Sequence, residues 1–476
     1  MASNRDQLQA YQFLVQRATS ALVTGETDPE QPPFRRSSVA AITGVALAIV
    51  LLAGFGVYGM LRPGGNNAWR QDNAVIVEKE TGTRYVNLNG RLHPVTNYVS
   101  ALLLLGTHGS TVMVSRNSIV GVPRGPRIGI PDAPDALPGK GRLLSGSWSL
   151  CSVPASDVAG SRIEESVLLV GATPTRGLDV DDRALLVELV ATGDRYLVWR
   201  GYRHKIDDYK AVGTGLALAT ESWVRVGRAW LDVLLEGEPI GPVTMAQAGA
   251  ASSAVPGRTD IRAGTLLVVQ TSGGGRQYYV AEADALRPIT ELQYDIQRAY
   301  SPTLAAYSGS DPGAVPLAPS LAAAARQRSP VNAEAGAAPA TRPAMVRLRD
   351  KEATICATFG AGAVAPRLWA ESTLPPADPL STTTRRSPGG IPLADRIHVP
   401  PGWAAVVEAM PSPGAPVGTL TLVTDMGRRY PLASADVLGM LGYDGARPVR
   451  LPAGLVARLP EGPGLDPVAA RQYHTG

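Results

Sequence analysis

Several things are scarce in this chain of 476 residues. Cysteine occurs twice, at Cys151 and Cys356, with no C-x-x-C pair and no Cys/His cluster, which excludes zinc modules and dithiol redox centres. The five histidines, His93, His108, His204, His398 and His474, include no ligand-spaced pair. A phosphate loop of the form G-x-x-x-x-G-K-[ST] is missing. Its nearest fragment, Pro138-Gly139-Lys140-Gly141, lacks the hydroxyl that would hold magnesium and reads as a turn. There is no G-x-S-x-G elbow either. Net charge is only +4 and scattered, so nothing points to nucleic acid. After residue 62 no second long uncharged apolar run follows.

One such run is present. Residues 37–61 carry no charge and are flanked by Arg36 and Arg62. Twenty-five helical residues span roughly 37 Å, enough to cross a hydrocarbon core of about 30 Å with tilt. The run is too long for a signal-peptide core, and acidic residues (Asp6, Glu26, Asp28, Glu30) precede it. A retained transmembrane helix is therefore expected. Arg35 and Arg36 before the run and Arg62 and Arg70 after it nearly balance; the closely placed Arg35-Arg36 pair favours a cytoplasmic N-terminus, and the repeats and cysteine pair place the large C-terminal part outside the cell membrane. The run contains a G-x-G-x-x-G, Gly54-Phe55-Gly56-Val57-Tyr58-Gly59, but without a βαβ context it is no dinucleotide site. Ala40, Gly44, Ala48 and Gly56 read as a surface for close helix packing; the plainer reading is that Gly and Ala are common in membrane spans.

Residues 1–36 form a head whose Leu8, Tyr11, Leu14, Val15, Ala18 and Leu22 share one helical face. The face docks on a partner or on the membrane, or it belongs to a short helix with no specific partner. Beyond the span a four-residue pattern recurs, in which Gly makes a turn and Tyr opens a strand. Its copies are Gly82…Tyr85, Gly193…Tyr196, Gly275…Tyr278 and Gly427…Tyr430. Helical stretches follow at 97–105, 207–216 and 434–441. His93 and His204 fall at corresponding places in the first two copies, which reads as a structural position. A second likeness joins 230–242 to 455–467: Glu236-Gly237 and Glu461-Gly462 coincide, as do Pro242 and Pro467. The pattern predicts an α+β region of four small β-rich repeats around a central β domain.

The expected divisions are a head at 1–36, the span at 37–61, repeat 1 and a strap at 62–140, and the central domain at 141–190 and 344–410. Repeats 2 and 3 occupy 191–250 and 251–307, a low-complexity loop 308–343, and repeat 4 with a tail 411–476. The stretch 372–390 looks similar to that loop. The runs Leu185-Leu186-Val187 and Ala404-Ala405-Val406-Val407 are expected as central strands. The strap, 118–135, reads as a contact segment or as a loop over the core. Cys151 and Cys356 are either buried thiols or, in an exported domain, a disulfide closing a loop of 205 residues, worth ~5 kcal/mol of chain entropy.

These features together resemble the EccB family, the single-pass membrane component of the actinobacterial type VII (ESX) secretion system. The likeness rests on the head Gln9-Ala10-Tyr11-Gln12-Phe13-Leu14, the lone span, the Pro-Arg-Gly strap, the repeats and the two cysteines. It implies a structural core component that scaffolds the channel for protein export. It implies a Cys151–Cys356 disulfide and self-association. The partners it implies are the EccC ATPase, EccD, EccE and a mycosin protease. The repeats of that family look like a wall-binding subunit of a phage lysin, so peptidoglycan binding is one alternative. ATP hydrolysis is another, because members are sometimes labelled ATPases, although no phosphate loop supports it here. No catalytic residue, metal or cofactor is assigned.

Overall fold

A computed structural model of the protein describes residues 4–25, 35–61, 67–245, 247–308, 310–329, 335–376 and 381–473. Two helices come first, α1 (Asn4–Thr24) and α2 (Arg35–Leu61). The apolar side chains of α1, Leu8, Tyr11 and Leu14 among them, are exposed, as are those of α2 from Val39 to Tyr58.

The rest is β-rich and builds five sheets. Four are small and share one strand order. In the first, β1 (Ala74–Glu78) pairs antiparallel with β2 (Arg84–Leu88), which pairs antiparallel with β3 (Arg91–Pro94). The helix Tyr98–Leu105 then carries the chain back to β4 (Ser110–Val114), parallel to β1. A parallel neighbour cannot be reached by a tight turn, so the helix is the required crossover. Asn97 caps it by accepting from the Ser100 amide, and Gly106, at φ 68°, ends it.

The second small sheet repeats this with Leu185–Leu189, Arg195–Trp199 and Tyr202–Lys205, then a helix (Tyr209–Gly215) and Trp223–Val226. The third uses Leu266–Gln270, Arg276–Ala281 and Leu286–Ile289, the helix Glu291–Ala299, and Val315–Pro316. The fourth uses Ala404–Met410, Thr419–Thr424 and Arg429–Pro431, the helix Asp436–Met440, and Val449–Pro452.

The fifth, central sheet has six strands in the order Arg396–His398, Arg162–Leu169, Trp148–Ser156, Ile355–Phe359, Arg367–Thr373 and Arg176–Asp179. Trp148, Leu150, Leu168 and Phe359 on one face pack with Leu185, Val187 and Trp230 of the second sheet's region and with Ala405, Val407 and Leu455 of the fourth's. The first and fourth sheets share another core, in which Val99, Leu102 and Leu103 meet Leu422, Val437 and Leu438. The second and third join where Val212 and Leu216 meet Leu292 and Ile296.

Three expectations need correction. The runs at 185–189 and 404–407 are not central strands: each is the first strand of a small sheet, because its antiparallel partner lies directly downstream. The segment 308–343 is no simple loop. Val315–Pro316 closes the third sheet, Pro319–Ala324 is helical, and Leu317, Ala322 and Ala325 are buried against that sheet. Small side chains bury well on a shallow sheet, so Ala/Pro composition hid an ordered element. The similar stretch at 372–390 pairs with the residues just after it through Thr382↔Arg396 and Arg386↔Pro392, while residues 377–380 lie outside the described residues.

Candidate functional site: the apolar helix and the clasps of the small sheets

The helix α2 is long and apolar enough to cross a membrane. Its segment Ser37–Gly59 has a mean hydropathy of 2.4, and none of it is buried by the rest of the chain. Ala40, Gly44, Ala48 and Gly56 lie on it, all exposed. A Cβ built on Gly44 or Gly56 meets nothing within 4 Å. Their small size therefore answers to no contact among the described residues.

The structure separates the Gly/Tyr pattern into two positions. Gly82 and Gly193 sit at φ 71° and 73° in the turn between the first and second strands. Each accepts its place by donating its amide to the last residue of the preceding strand, Glu78 or Leu189. Tyr85 and Tyr196 follow on the second strand. In the third sheet the left-handed glycine is Gly274 (φ 81°), not Gly275, and the residue paired like Tyr85 is Tyr279, not Tyr278: Tyr85 faces Pro94 and Tyr279 faces Pro288. In the fourth sheet Gly427 lies one turn later, between the second and third strands, and Tyr430 is on the third strand. Gly427 thus corresponds to Gly90 and Gly201, and Thr421 stands where Tyr85 does. A local Gly–x–x–Tyr match cannot tell two successive hairpin turns apart; strand pairing can.

Beside each third strand runs a closing segment, joined by parallel bridges. These are Leu92↔Arg124 and Val95↔Ile128, Arg203↔Glu236 and Ile206↔Ile240, Leu286↔Gln327, and Arg429↔Glu461 with Leu432↔Leu465. The strap is the first of these: Ile128 and Ile130 are buried in the core, so it lies over its own sheet. In three of the four the residue after the bridge is a ring resting on a glycine: His93 on Gly125, His204 on Gly237, Tyr430 on Gly462. No Cβ fits at those glycines; on Gly237 it would stand 2.5 Å from His204 Cε1. His93 Nδ1 lies 3.2 Å from the Pro126 carbonyl and His204 Nδ1 lies 2.8 Å from that of Glu238. The third sheet replaces ring and glycine by charge: Glu282 accepts from Arg287 at 2.6 Å and Arg328 at 2.8 Å. These clasps were half visible in the coincident Glu-Gly pairs of 230–242 and 455–467. The rings they serve lie about 30 residues upstream.

The cysteines form a disulfide, S–S 2.04 Å, and face each other on neighbouring central strands, both fully buried. On the adjacent strand, burial pushes the Glu164 carboxyl up to about 7, helped by Glu352 and opposed by Arg225 of the second sheet. Arg458, nearly sealed just after the short helix Ala453–Val456, donates to the Pro392 carbonyl at 2.7 Å and so ties the 381–397 hairpin down. Between that hairpin and the fourth sheet opens a cleft of about 1050 Å³, walled by Thr382, Thr384, Ser387 and Arg428 with Met426 at its rim; no histidine or cysteine lines it. Among the described residues no three His, Cys, Asp or Glu side chains gather where a metal ion could be held.

Fold and site define a class: a chain with one membrane-length helix joined to a large region of small clasped sheets packed about a central one. The chain belongs to the type VII secretion family described as "Type VII secretion system ESX-1, transport TM domain B", which matches residues 1–476. It is 32% identical over 307 residues to the ESX-2 secretion system ATPase EccB2 of Mycobacterium tuberculosis, a match covering 62% of this chain and 59% of that protein's length. It is 28% identical over 485 residues to the ESX-3 secretion system ATPase EccB3 of Mycolicibacterium smegmatis, covering 97% and 89%. Its fold resembles a chain of an intact ESX-5 inner membrane complex, with TM-score 0.62, 24% identity and coverage of 100% and 96%. It also resembles the EccB3 dimer from an ESX-3 core complex, with TM-score 0.60, 25% identity and coverage of 84% and 100%.

Proposed function

We propose that this chain is a structural component of a type VII secretion membrane complex. In this reading α2 crosses the cell membrane once, the head lies in the cytoplasm and the β region outside. The observation that carries the proposal is α2, whose apolar surface has no cover among the described residues, in a member of a secretion transport family. Such a surface needs lipid or other membrane helices around it. The stripe of Ala40, Gly44, Ala48 and Gly56 lets neighbouring helices approach closely. The four small sheets are four copies of one unit around the central sheet; the common strand order, crossover helix and closing segment support this. The copies supply packed, rigid faces rather than a reaction centre. Partners in this reading are a second copy of the chain and the EccC, EccD, EccE and mycosin components, with self-association supported by the dimeric ESX-3 relative.

The test is gentle extraction of the full chain from its native membrane, followed by native mass measurement and identification of bound proteins. Recovery in a large assembly with those components is expected. A solitary monomer at every mild extraction condition would overturn the proposal. Retention on insoluble peptidoglycan, or ATP turnover by homogeneous protein, would call for one of the other readings.

A further inference from the structure

We propose that His204 is a pH-sensitive latch, which holds the closing segment of the second small sheet when neutral and releases it when protonated. The four closing segments solve one problem in four ways. His93 is only half-buried on Gly125, so its ring stays open to water. Tyr430 does not change charge near neutrality. Arg287 is always charged and already paired with Glu282. His204 alone of these four is a fully buried imidazole, the side chain whose ordinary range lies nearest neutrality.

Its surroundings fit only the neutral ring. Nδ1–H donates to the Glu238 carbonyl at 2.8 Å. Nε2 is buried with no hydrogen-bond partner among the described residues. A lone pair without a partner is tolerable there; an N–H carrying positive charge is costly. The ring is closed in by Gly237 on one side and by Leu197 across the strand pair. The charged groups on its own strand are engaged elsewhere, Arg203 with Asp232 at 2.7 Å and Lys205 with Asp194 at 3.3 Å. From the closing segment the one facing carboxylate is Glu238, whose Oε2 already accepts from the Ala338 amide. Burial accordingly holds the His204 imidazole below its ordinary range, against the pull of Glu238.

The segment that would be released is tied to more than the ring. Gly237 N–H donates to the Arg203 carbonyl and Glu238 N–H to that of Gly336, where an added Cβ would stand 3.1 Å from the Tyr202 ring. Loss of the ring contact therefore frees residues 235–240 together with the chain at 336–338, which leads toward the central sheet. The sign follows from the lowered pKa. The latch is fully closed above the unfolded imidazole value near 6.5 and weakens as pH falls below it.

The experiment is hydrogen exchange read by mass spectrometry on the full chain in lipid nanodiscs, at several pH values from 8 to 5, corrected for intrinsic exchange. Peptides covering 235–240 and 336–338 should lose protection below pH 6.5, by up to about tenfold per pH unit, the limit for one proton. The corresponding segments at 124–128 and 461–465 should not. His204→Tyr copies the fourth sheet's solution and should keep protection at every pH. Equal protection of 235–240 at pH 8 and 5 in the natural chain would overturn the proposal whether or not the variant folds. So would an unchanged pH response in a folded His204→Tyr.

Discussion

Three aromatic rings resting on three glycines show how much a single side chain decides in these small sheets. At Gly237 the ring above is sealed and cannot swing away. Gly237→Ala should therefore cost about 1–3 kcal/mol, the usual range for overpacking a filled core. Gly125→Ala meets a half-buried His93 that has room to move, and its loss should be smaller. Denaturant midpoints of the two variants, measured side by side, check this. Glu164 is the second residue with a readable consequence. Its carboxyl is raised to about 7 by burial. Neutral Glu164 thus contributes fully below the unfolded value near 4.5, and that contribution is lost as pH rises through about 7. Glu164→Gln cannot ionise, so its stability relative to the natural chain should improve from pH 5 to pH 8. A urea series at pH 5, 7 and 8.5 gives the answer. Glu164 looks like any charge on a strand, and Gly237 stood out only as half of a Glu-Gly pair shared with Glu461-Gly462, with no sign of the ring it serves.

At the scale of elements, the span and the small sheets differ in how far local sequence describes them. The span was legible because twenty-odd uncharged residues in a row have few alternatives. Gly44 lies on it with free space on its side, so Gly44→Ile should leave the β region's stability unchanged. It should reduce co-purification of other membrane components several-fold, as expected for a blocked small-residue contact. Blotting the detergent-extracted complex against thermal stability of the same sample separates the two effects. Three crossover helices were legible as well, as the stretches 97–105, 207–216 and 434–441, and the structure caps the first two with Asn97 and Asp208. The register of the repeats was not. Tyr430 mimics Tyr85 locally, yet the strands around it place it one hairpin later. The fourth strand of the third sheet, Val315–Pro316, is two residues long and ends in proline, too little for any periodic signal.

For the whole molecule, the governing fact is that central strands from 148–179 and 355–398 enclose two small sheets between them in sequence. The Cys151–Cys356 disulfide ties those two halves across a separation of 205 residues. Replacing both cysteines by serine should lower stability by about 2–5 kcal/mol, mainly by freeing the unfolded chain. The double variant should unfold at lower denaturant and also lose the mobility difference between reduced and non-reduced gels. The pairing of first with fourth and second with third sheets gives the region a nested arrangement, in which the earliest and latest small sheets share a core.

The sequence by itself determined one membrane-length helix, a β-rich α+β region, and the two residues able to form a disulfide. Each depends on local composition or on near neighbours, which a linear reading captures. Only the tertiary structure decided which runs were central strands, that an Ala/Pro-rich stretch completes a sheet, and that rings at 93, 204 and 430 close on glycines about 30 residues downstream. Those outcomes depend on which surfaces meet, and burial against a distant partner leaves little trace in the residues on either side.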